Sequence, residues 1–278
     1  MTKKKVFFIS LFLTLGAILP IFVGAMVQRL ANPIKVSETK TDIPILQPSK
    51  GDYKNILLAT DGENKAFILF RLDAVQGVIN GAVIPQNTVL LCNGTAKTLG
   101  TIQDETGPAE VANSLAETFK MRVDNYFEIS AESLSKTANL LGSIHVNMSE
   151  FSGITDPTLL KKFAFNGGEG DIFASSACTL LSQIENDDIK KAALRAKVYT
   201  SFLHTESGTE DFLVELLNSK TAVSNIQPDE KESYKRIFNF LCKNPDLKIN
   251  INAIPAIENG NTISLCEESQ NYVLQYLM

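Results

Sequence analysis

The first 26 residues constrain this chain more than any other segment. Three lysines at positions 3–5 precede an uncharged apolar run of 21 residues from Val6 to Met26. A run of that length is long enough to cross the hydrocarbon core of a bilayer as a helix. Lysines before the run favour a cytoplasmic amino terminus. The sequence therefore predicts a single-pass protein of the cell membrane, with its carboxyl-terminal domain outside the cytoplasm.

A cleaved signal peptide is the alternative interpretation of the same segment. Val23, Gly24 and Ala25 are small enough to suit a signal peptidase. Either interpretation exports the rest of the chain. Residues 27–54 are polar and proline-containing, which indicates a linker. We therefore divide the chain into an anchor or signal peptide at 1–26, a linker at 27–54 and one extracellular domain at 55–278.

The charge of the exported part limits its partners. Without the three lysines at positions 3–5, 23 basic residues remain against 31 acidic ones, a net charge of −8. An acidic surface argues against nucleic acid as a partner, so any anion-binding site must be a local pocket. The four cysteines form no CxxC pair and fit no zinc signature. Export permits disulfides, but burial as free thiols remains equally open.

Alternation of strand and helix patterns predicts an α/β domain with a three-layer architecture, a mixed sheet flanked by helices. A glycine-rich loop is expected through Gly167, Gly168 and Gly170. Strands are predicted at 55–60, 66–72, 78–84, 88–92, 125–130, 143–148, 248–253 and 262–265. Helices are predicted at 107–119, 131–142, 174–184, 187–204, 211–217, 229–241 and 267–277.

Polar side chains at the ends of the first strands are the candidates for a functional site. Asp61 follows the first strand, where a metal-binding or phosphate-handling carboxylate is often placed. The third strand ends at Pro85 and delivers two amides, Gln86 and Asn87, which neither carry charge nor titrate. No GxSxG, HExxH or P-loop motif is present, and neither histidine lies in a nucleophile or metal motif.

The order of these segments resembles the LytR-CpsA-Psr family from about Asn55 to the end of the chain. The resemblance rests on "NILLATDG", "VIPQNT" and above all "NYFEISAESLSKTANLLGSIHVNM". It implies a membrane-anchored extracytoplasmic protein that transfers glycopolymers from a polyprenyl-pyrophosphate carrier to peptidoglycan in Gram-positive bacteria. It also implies a hydrophobic cavity for the lipid tail, arginines for the pyrophosphate and carboxylates for Mg²⁺.

This chain has the family's site residues at only some of the matching positions. Asp61 matches the aspartate after the first strand, as a catalytic and metal-binding position. The segment 63–65, Glu-Asn-Lys, stands where the family has Arg-x-Asp, and 85–87, Pro-Gln-Asn, stands where it has Pro-Arg-Asp. Family arginines fall near Gln183 and Glu185. Arg195 survives as a basic catalytic position, although it and its neighbours Lys191 and Lys197 could equally be a solvated helix face. The resemblance thus implies ligand-binding positions at Lys65, Gln86, Asn87, Gln183 and Lys191.

Replacement of arginines by amides predicts that the phosphotransferase site is degenerate. An amide cannot neutralise a phosphate, and loss of one transition-state donor costs about 2.7–4 kcal/mol. The chain would then bind polyprenyl phosphate, a polyprenyl-linked glycopolymer or other cell-envelope proteins without efficient turnover. One alternative is an active transferase that needs Mg²⁺ and uses Asp61, Lys65 and Arg195. Another is a non-catalytic extracellular binding or scaffold module, which would need no deep apolar cavity.

Overall fold

The structure is a computed structural model that describes residues 47–147, 169–184, 188–204 and 208–278. The predicted membrane segment, Val6–Met26, lies outside these ranges. Within them, no helix has both the length and the apolar character that a membrane crossing requires. The chain divides into the units Met1–Gln47 and Pro48–Met278, and the strands and helices named here belong to the second unit.

Twelve strands and eight helices make up the part of this unit that the structure describes. The strands are β1 Tyr53–Asp61, β2 Phe67–Asp73, β3 Val78–Ile84, β4 Thr88–Cys92, β5 Thr95–Thr98, β6 Asn125–Ser130, β7 Ser143–Asn147, β8 Glu169–Phe173, β9 Val223–Ser224, β10 Lys248–Ala253, β11 Ala256–Asn259 and β12 Thr262–Leu265. The helices are α1 Leu99–Thr106, α2 Pro108–Phe119, α3 Ala131–Ala138, α4 Ala174–Ser182, α5 Ile189–Leu203, α6 Thr209–Leu217, α7 Pro228–Cys242 and α8 Glu267–Tyr276.

Six strands form the central mixed sheet, in the order β10-β3-β2-β1-β6-β9. Strands β1, β2 and β3 are an antiparallel meander, while β6 joins β1 and β10 joins β3 in parallel. The carboxyl ends of β1, β3, β6 and β10 therefore meet at one side of the sheet, which we call the carboxyl edge. A four-stranded sheet, β11-β12-β4-β5, and the hairpin β7-β8 complete the set.

The two faces of the central sheet bury separate apolar cores, which confirms the predicted three-layer architecture. Along β1, Ile56 and Leu58 face one core and Leu57 and Ala59 the other, as the two-residue period of a strand dictates. Helices α3 to α7 cover the first core. Helices α1, α2 and α8 and the strand β4 cover the second. Both faces are thus closed, and ligand access is expected at an edge.

Most predicted elements are present, and the departures have a physical reason. Gly170 lies in β8 and not in a loop, because Glu169–Phe173 pairs with β7 across 21 intervening residues. So distant a partner leaves no local turn signal. The short elements β5, α1 and β11 were not predicted from the sequence either. All four cysteines are free thiols, with Cys92 and Cys178 buried.

Candidate functional site

The turn between β1 and β2, residues 62–66, is at the centre of the carboxyl edge. Thr60 closes it, because its hydroxyl accepts the N–H of Ala66 at 2.8 Å and its own N–H reaches the Ala66 carbonyl at 2.9 Å. The ammonium of Lys65 lies 2.6 Å from the Gly62 carbonyl and 2.9 Å from the Asp104 carboxylate. Lys65 is 7% exposed, so its charge is balanced by contacts within the protein.

Of the two amides after β3, Gln86 holds this turn in place. The Oε1 atom of Gln86 accepts the backbone N–H of Lys65 at 2.9 Å. The Gln86 carbonyl accepts the N–H of Gly100 at 3.0 Å, and the Asn87 carbonyl accepts that of Ile263 at 3.0 Å. A neutral acceptor suits the first contact, whereas an arginine offers donors only. Gln86 therefore has a structural reason to be an amide.

An acidic depression lies on one side of the turn. Its carboxylates come from Asp61, Glu63, Asp104 and Glu128, and Lys65 is its basic member. Gln103 completes the wall and donates its amide N–H to Glu128 and, at 3.4 Å, to the Thr60 carbonyl. Within the described residues, no three acidic, histidine or cysteine side chains are grouped as metal ligands. Four carboxylates beside one ammonium disfavour a phosphate here unless a cation accompanies it.

A small pocket of about 20 Å³ with polar and apolar lining residues, which we call the polar pocket after its polar members, lies on the other side of the turn. The guanidinium-bearing residue Arg195 is 1% exposed and lines it together with Thr60 and Asn64. Asn64 is fixed by donating to the Ser182 carbonyl at 3.0 Å. Burial raises the pKa of the nearby Cys178 thiol to about 12, so this group is neutral at physiological pH. The pocket therefore offers a cation and neutral polar groups.

An apolar cavity of about 90 Å³ lies between the central sheet and helices α3, α5, α6 and α7. Leu134 and Tyr199 line both this cavity and the polar pocket, which places the two next to each other. The rest of the lining is aliphatic and aromatic, and Tyr234 at the cavity wall donates its hydroxyl to Asn125 at 2.8 Å.

The polar pocket and the apolar cavity lie one after the other along both β1 and α5. On β1, Thr60 lines the polar pocket while Leu58 and Ile56 line the cavity. On α5, Arg195 lines the pocket and Leu203 the cavity. Four strand residues span about 13 Å, and eight helical residues about 12 Å. The lining residues on β1 and α5 thus span about 12–13 Å of backbone, with the polar ones toward the carboxyl edge and the apolar ones further in.

The structure distributes the residues predicted from the sequence between these features. Asp61, which is exposed, and Lys65 line the acidic depression, whereas Arg195 lines the polar pocket. Gln183 is exposed and caps α4 directly after Ser182. Lys191 lies one helical turn before Arg195, with its ammonium 3.5 Å from the Asp188 carboxylate. The predicted position Glu185 lies outside the described residues.

Sequence reasoning missed Thr60, Asn64, Leu134 and Tyr199. Two of them carried a usable signal. Thr60 shares the strand face of Ile56 and Leu58, and Tyr199 follows Arg195 at the four-residue spacing that puts side chains on one helix face. Leu134 offered none, because its place at the pocket depends on how α3 packs in the folded chain.

Solved structures share the fold of this chain over most of its length. TagV of Bacillus subtilis superposes with a TM-score of 0.63 at 13% identity, covering 82% of this chain and 96% of that one. TagT bound to LI-WTA gives 0.59 at 12% identity, over 81% and 89%. TagV and TagT are LytR-CpsA-Psr proteins. This chain has the LytR-CpsA-Psr fold.

The same LytR-CpsA-Psr fold occurs in a protein of Eubacterium siraeum that was named as a transcription regulator. Its structure gives a TM-score of 0.67 at 17% identity, over 86% of this chain and 96% of that one. No family model and no curated protein matches the sequence. At these identities the likeness establishes the fold, and function has to be argued from the site.

Proposed function

We propose that this chain is a membrane-anchored, extracytoplasmic protein that binds a phosphate-headed polyprenyl lipid and transfers its cargo weakly or not at all. The observation that carries the proposal is the apolar cavity that adjoins a polar pocket lined by a buried arginine. The cavity would take the hydrocarbon tail, and Arg195 would face the phosphate. A segment such as Val6–Met26 would hold the domain at the membrane where that lipid resides.

The polar pocket has the chemistry that a phosphate needs. A guanidinium presents several N–H donors in a fixed plane, and its hydrogen bonds to phosphate oxygens are charge-assisted. Arg195 is 1% exposed and already has a partner within the protein, so a phosphate would replace that contact in surroundings where water competes little. Asn64 and Thr60 add neutral polar groups at the same pocket.

Weak catalysis is inferred from the contacts that already occupy Gln86 and Lys65 at the turn. Gln86 is engaged with the backbone of Lys65, and Lys65 is engaged with Gly62 and Asp104. Neither side chain is therefore available to neutralise charge on a leaving phosphate without breaking the turn. Loss of one such donor typically lowers a rate by roughly hundreds-fold.

A second candidate function is a magnesium-dependent transferase with a relocated site. It is favoured by the placement of Asp61 and Lys65 on one side of the turn between β1 and β2 and Arg195 on the other. The carboxylates of the acidic depression could then accompany a cation. A non-catalytic scaffold with no lipid ligand is the weaker alternative, because it gives the apolar cavity no role.

Lipid binding is tested with the full chain in detergent and a fluorescent polyprenyl monophosphate. Arg195→Gln removes the charge but keeps a polar side chain of similar length, and we expect it to weaken binding roughly 10- to 150-fold, the value of one charge-assisted hydrogen bond. Lys197→Gln removes an equal charge from an exposed position of the same helix and is expected to bind as the parent does. Equal binding by both variants would show that the phosphate lies elsewhere.

Catalysis is tested by incubating the full chain with polyprenyl pyrophosphate and Mg²⁺ and measuring phosphate release. We expect release close to the rate without protein. Turnover that disappears in Asp61→Asn would establish the transferase with a relocated site in place of the binding protein.

A further inference from the structure

We propose that one edge of the central sheet docks onto an anionic membrane surface. This edge lies opposite the carboxyl edge, where β1, β3, β6 and β10 begin and β2 ends. We call it the amino edge and define it by residues 48–55, 71–78, 120–125 and 243–248. The proposal goes beyond lipid binding in the cavity and shares with it only the predicted membrane segment.

Backbone hydrogen bonds join these four segments into one rim. The N–H of Asp124 donates to the Asn55 carbonyl at 2.8 Å, which links the segment before β6 to β1. The N–H of Lys248 donates to the Gly77 carbonyl at 3.0 Å, which links the starts of β10 and β3. Pairing of β1 with β2 and of β2 with β3 completes the row between them. The five adjacent strands make the rim about 19 Å wide.

Three acidic side chains of the amino edge are turned inward. Each of these carboxylates pairs with an arginine at 2.5–3.1 Å: Asp52 with Arg236, Asp73 with Arg71 and Asp124 with Arg122. The three carboxylate side chains are at most 8% exposed, whereas those of Arg236 and Arg122 are 49% and 82% exposed. The negative charges are therefore neutralised within the rim, and the guanidinium groups of two pairs remain open to solvent.

Lysines supply most of the other exposed charge of the rim. Four of them are exposed and have no ion pair with any residue that the structure describes: Lys50, Lys120, Lys243 and Lys248. Among the residues of the amino edge, Asp246 is the exposed acid. The exported part of the chain is acidic overall, so this basic excess is local. A local basic surface of this kind fits a partner with negative surface charge.

The carboxyl edge has the opposite charge. Its acidic depression exposes Asp61, Glu63 and Asp104. The nine residues of β1 separate the two edges by about 27 Å. Electrostatic interactions are screened over about 8 Å at physiological ionic strength, so a charged surface acts on one edge at a time. An anionic surface attracts the amino edge and repels the carboxyl edge, which gives the domain one favoured orientation.

The course of the chain favours a bilayer over a soluble polyanion at this edge. The described residues begin at position 47, three residues before Lys50, and the predicted membrane segment ends at Met26. The 20 residues between them span at most about 70 Å. A bilayer that holds the segment is therefore presented to the amino edge at a high effective concentration. Each basic residue near an anionic bilayer strengthens binding about fivefold, so four lysines contribute roughly several hundredfold.

Docking is tested with the full chain reconstituted into vesicles of phosphatidylcholine, or of phosphatidylcholine and phosphatidylglycerol in equal parts. A membrane-impermeant reagent acylates exposed lysines, and mass spectrometry gives the rate at each position. In the mixed vesicles we expect Lys243 and Lys248 to react at least about threefold more slowly, because a docked edge is shielded from the reagent. Lys190 is exposed on the first turn of α5, near the carboxyl edge, and should keep its rate. In 1 M salt the screening length falls to about 3 Å, and the slowing should disappear.

Charge reversal separates the amino edge from the charge of the whole domain. Lys243→Glu combined with Lys248→Glu should abolish the slowing at Lys120. Lys190→Glu combined with Lys220→Glu makes the same change in net charge at exposed positions away from that edge, and it should preserve the slowing. Thermal unfolding checks that both variants are folded. An equal effect of the two variants overturns the assignment to the amino edge.

The other outcomes are equally distinct. Equal lysine reactivity in the two kinds of vesicle overturns the docking and leaves lipid binding in the cavity intact. Slowing at Lys190 in place of the amino-edge lysines overturns it too, because the domain would then face the membrane with its carboxyl edge. Slowing caused by soluble polyphosphate, and not by the mixed vesicles, assigns the amino edge to a soluble polyanion in place of a bilayer. A chain that washes off phosphatidylcholine vesicles refutes the predicted membrane segment, and slowing in the mixed vesicles then still supports the docking.

Discussion

At the scale of single residues, Gln86 has a role in local structure. Its Oε1 atom accepts the Lys65 N–H, and that contact fixes the turn between the acidic depression and the polar pocket. A side chain with donors only would leave the Lys65 N–H without this acceptor. The amide at this position is thus explained by local structure.

Gln86→Ala is therefore expected to lower the free energy of unfolding by about 1–3 kcal/mol, the cost of removing the partner of a partly buried N–H. Gln86→Arg is expected to destabilise too, without creating transferase activity. Gln183→Ala is the matched control, because that amide is exposed at the end of α4, and should stay within about 0.5 kcal/mol. Urea unfolding measures all three. A Gln86→Ala protein as stable as the control would contradict the structural role.

Asp52 gives a residue-scale prediction of pH dependence. Burial alone would raise its pKa, but Arg236, with Nε 3.0 Å away, and the N–H and hydroxyl of Ser49 stabilise the carboxylate and bring the pKa below its usual value of 3.8. A depressed pKa means that the stabilisation is present above the unfolded pKa and is lost as pH falls through the folded one. Asp52→Asn should flatten the fall in urea midpoint between pH 5 and about pH 3. An unchanged slope would assign the acid sensitivity to other carboxylates.

At the scale of elements, the start of α6 is held by a close backbone approach. Gly208 has φ +92°, and a Cβ atom built there would lie 2.2 Å from the Leu140 carbonyl oxygen. This contact joins α6 to the turn that follows α3, the helix that carries Leu134. The elements around the cavity are thus coupled through a position that only glycine can occupy.

Gly208→Ala is expected to lower stability by at least about 1 kcal/mol more than Gly94→Ala does, because overpacking against backbone adds to the cost of the positive φ. Gly94 has φ +78° and no atom within 4 Å of a built Cβ, so it isolates the conformational cost. Chemical denaturation of the two variants measures the difference. Equal losses would mean that α6 can shift away from Leu140 freely.

The sequence predicts the long elements well and the contacts between them poorly. Two-residue alternation in β1 and helical spacing in α2 are local properties of the chain, so they can be recognised without a structure. The pairing of β8 with β7 is not local. Asp61, Gln86 and Arg195 were found as single positions, but the division into an acidic depression and a polar pocket depends on how the turn folds between them. Leu134 and Tyr199 line the same spaces only because of how their helices pack in the folded chain.

At the scale of the whole molecule, the site links ligand binding to global stability. A lipid that fills the cavity binds the folded state alone, so at a concentration 100 times its dissociation constant it should stabilise by about 2.7 kcal/mol. For a domain of this size that corresponds to a rise in Tm of roughly 5–11 °C. Differential scanning fluorimetry with polyprenyl monophosphate measures the shift. The uncharged polyprenol should shift Tm less, and equal shifts would show that the polar pocket contributes nothing.

The apolar cavity also has a mechanical consequence. Unfolding eliminates internal voids, and the volume of the system then decreases, by about 20–100 mL/mol in typical proteins. A cavity lined by aliphatic and aromatic side chains resists hydration, so part of it stays empty until a ligand enters. Hydrostatic pressure should therefore unfold the empty protein more readily than heat stability alone suggests, and a bound tail should make the domain stiffer under compression.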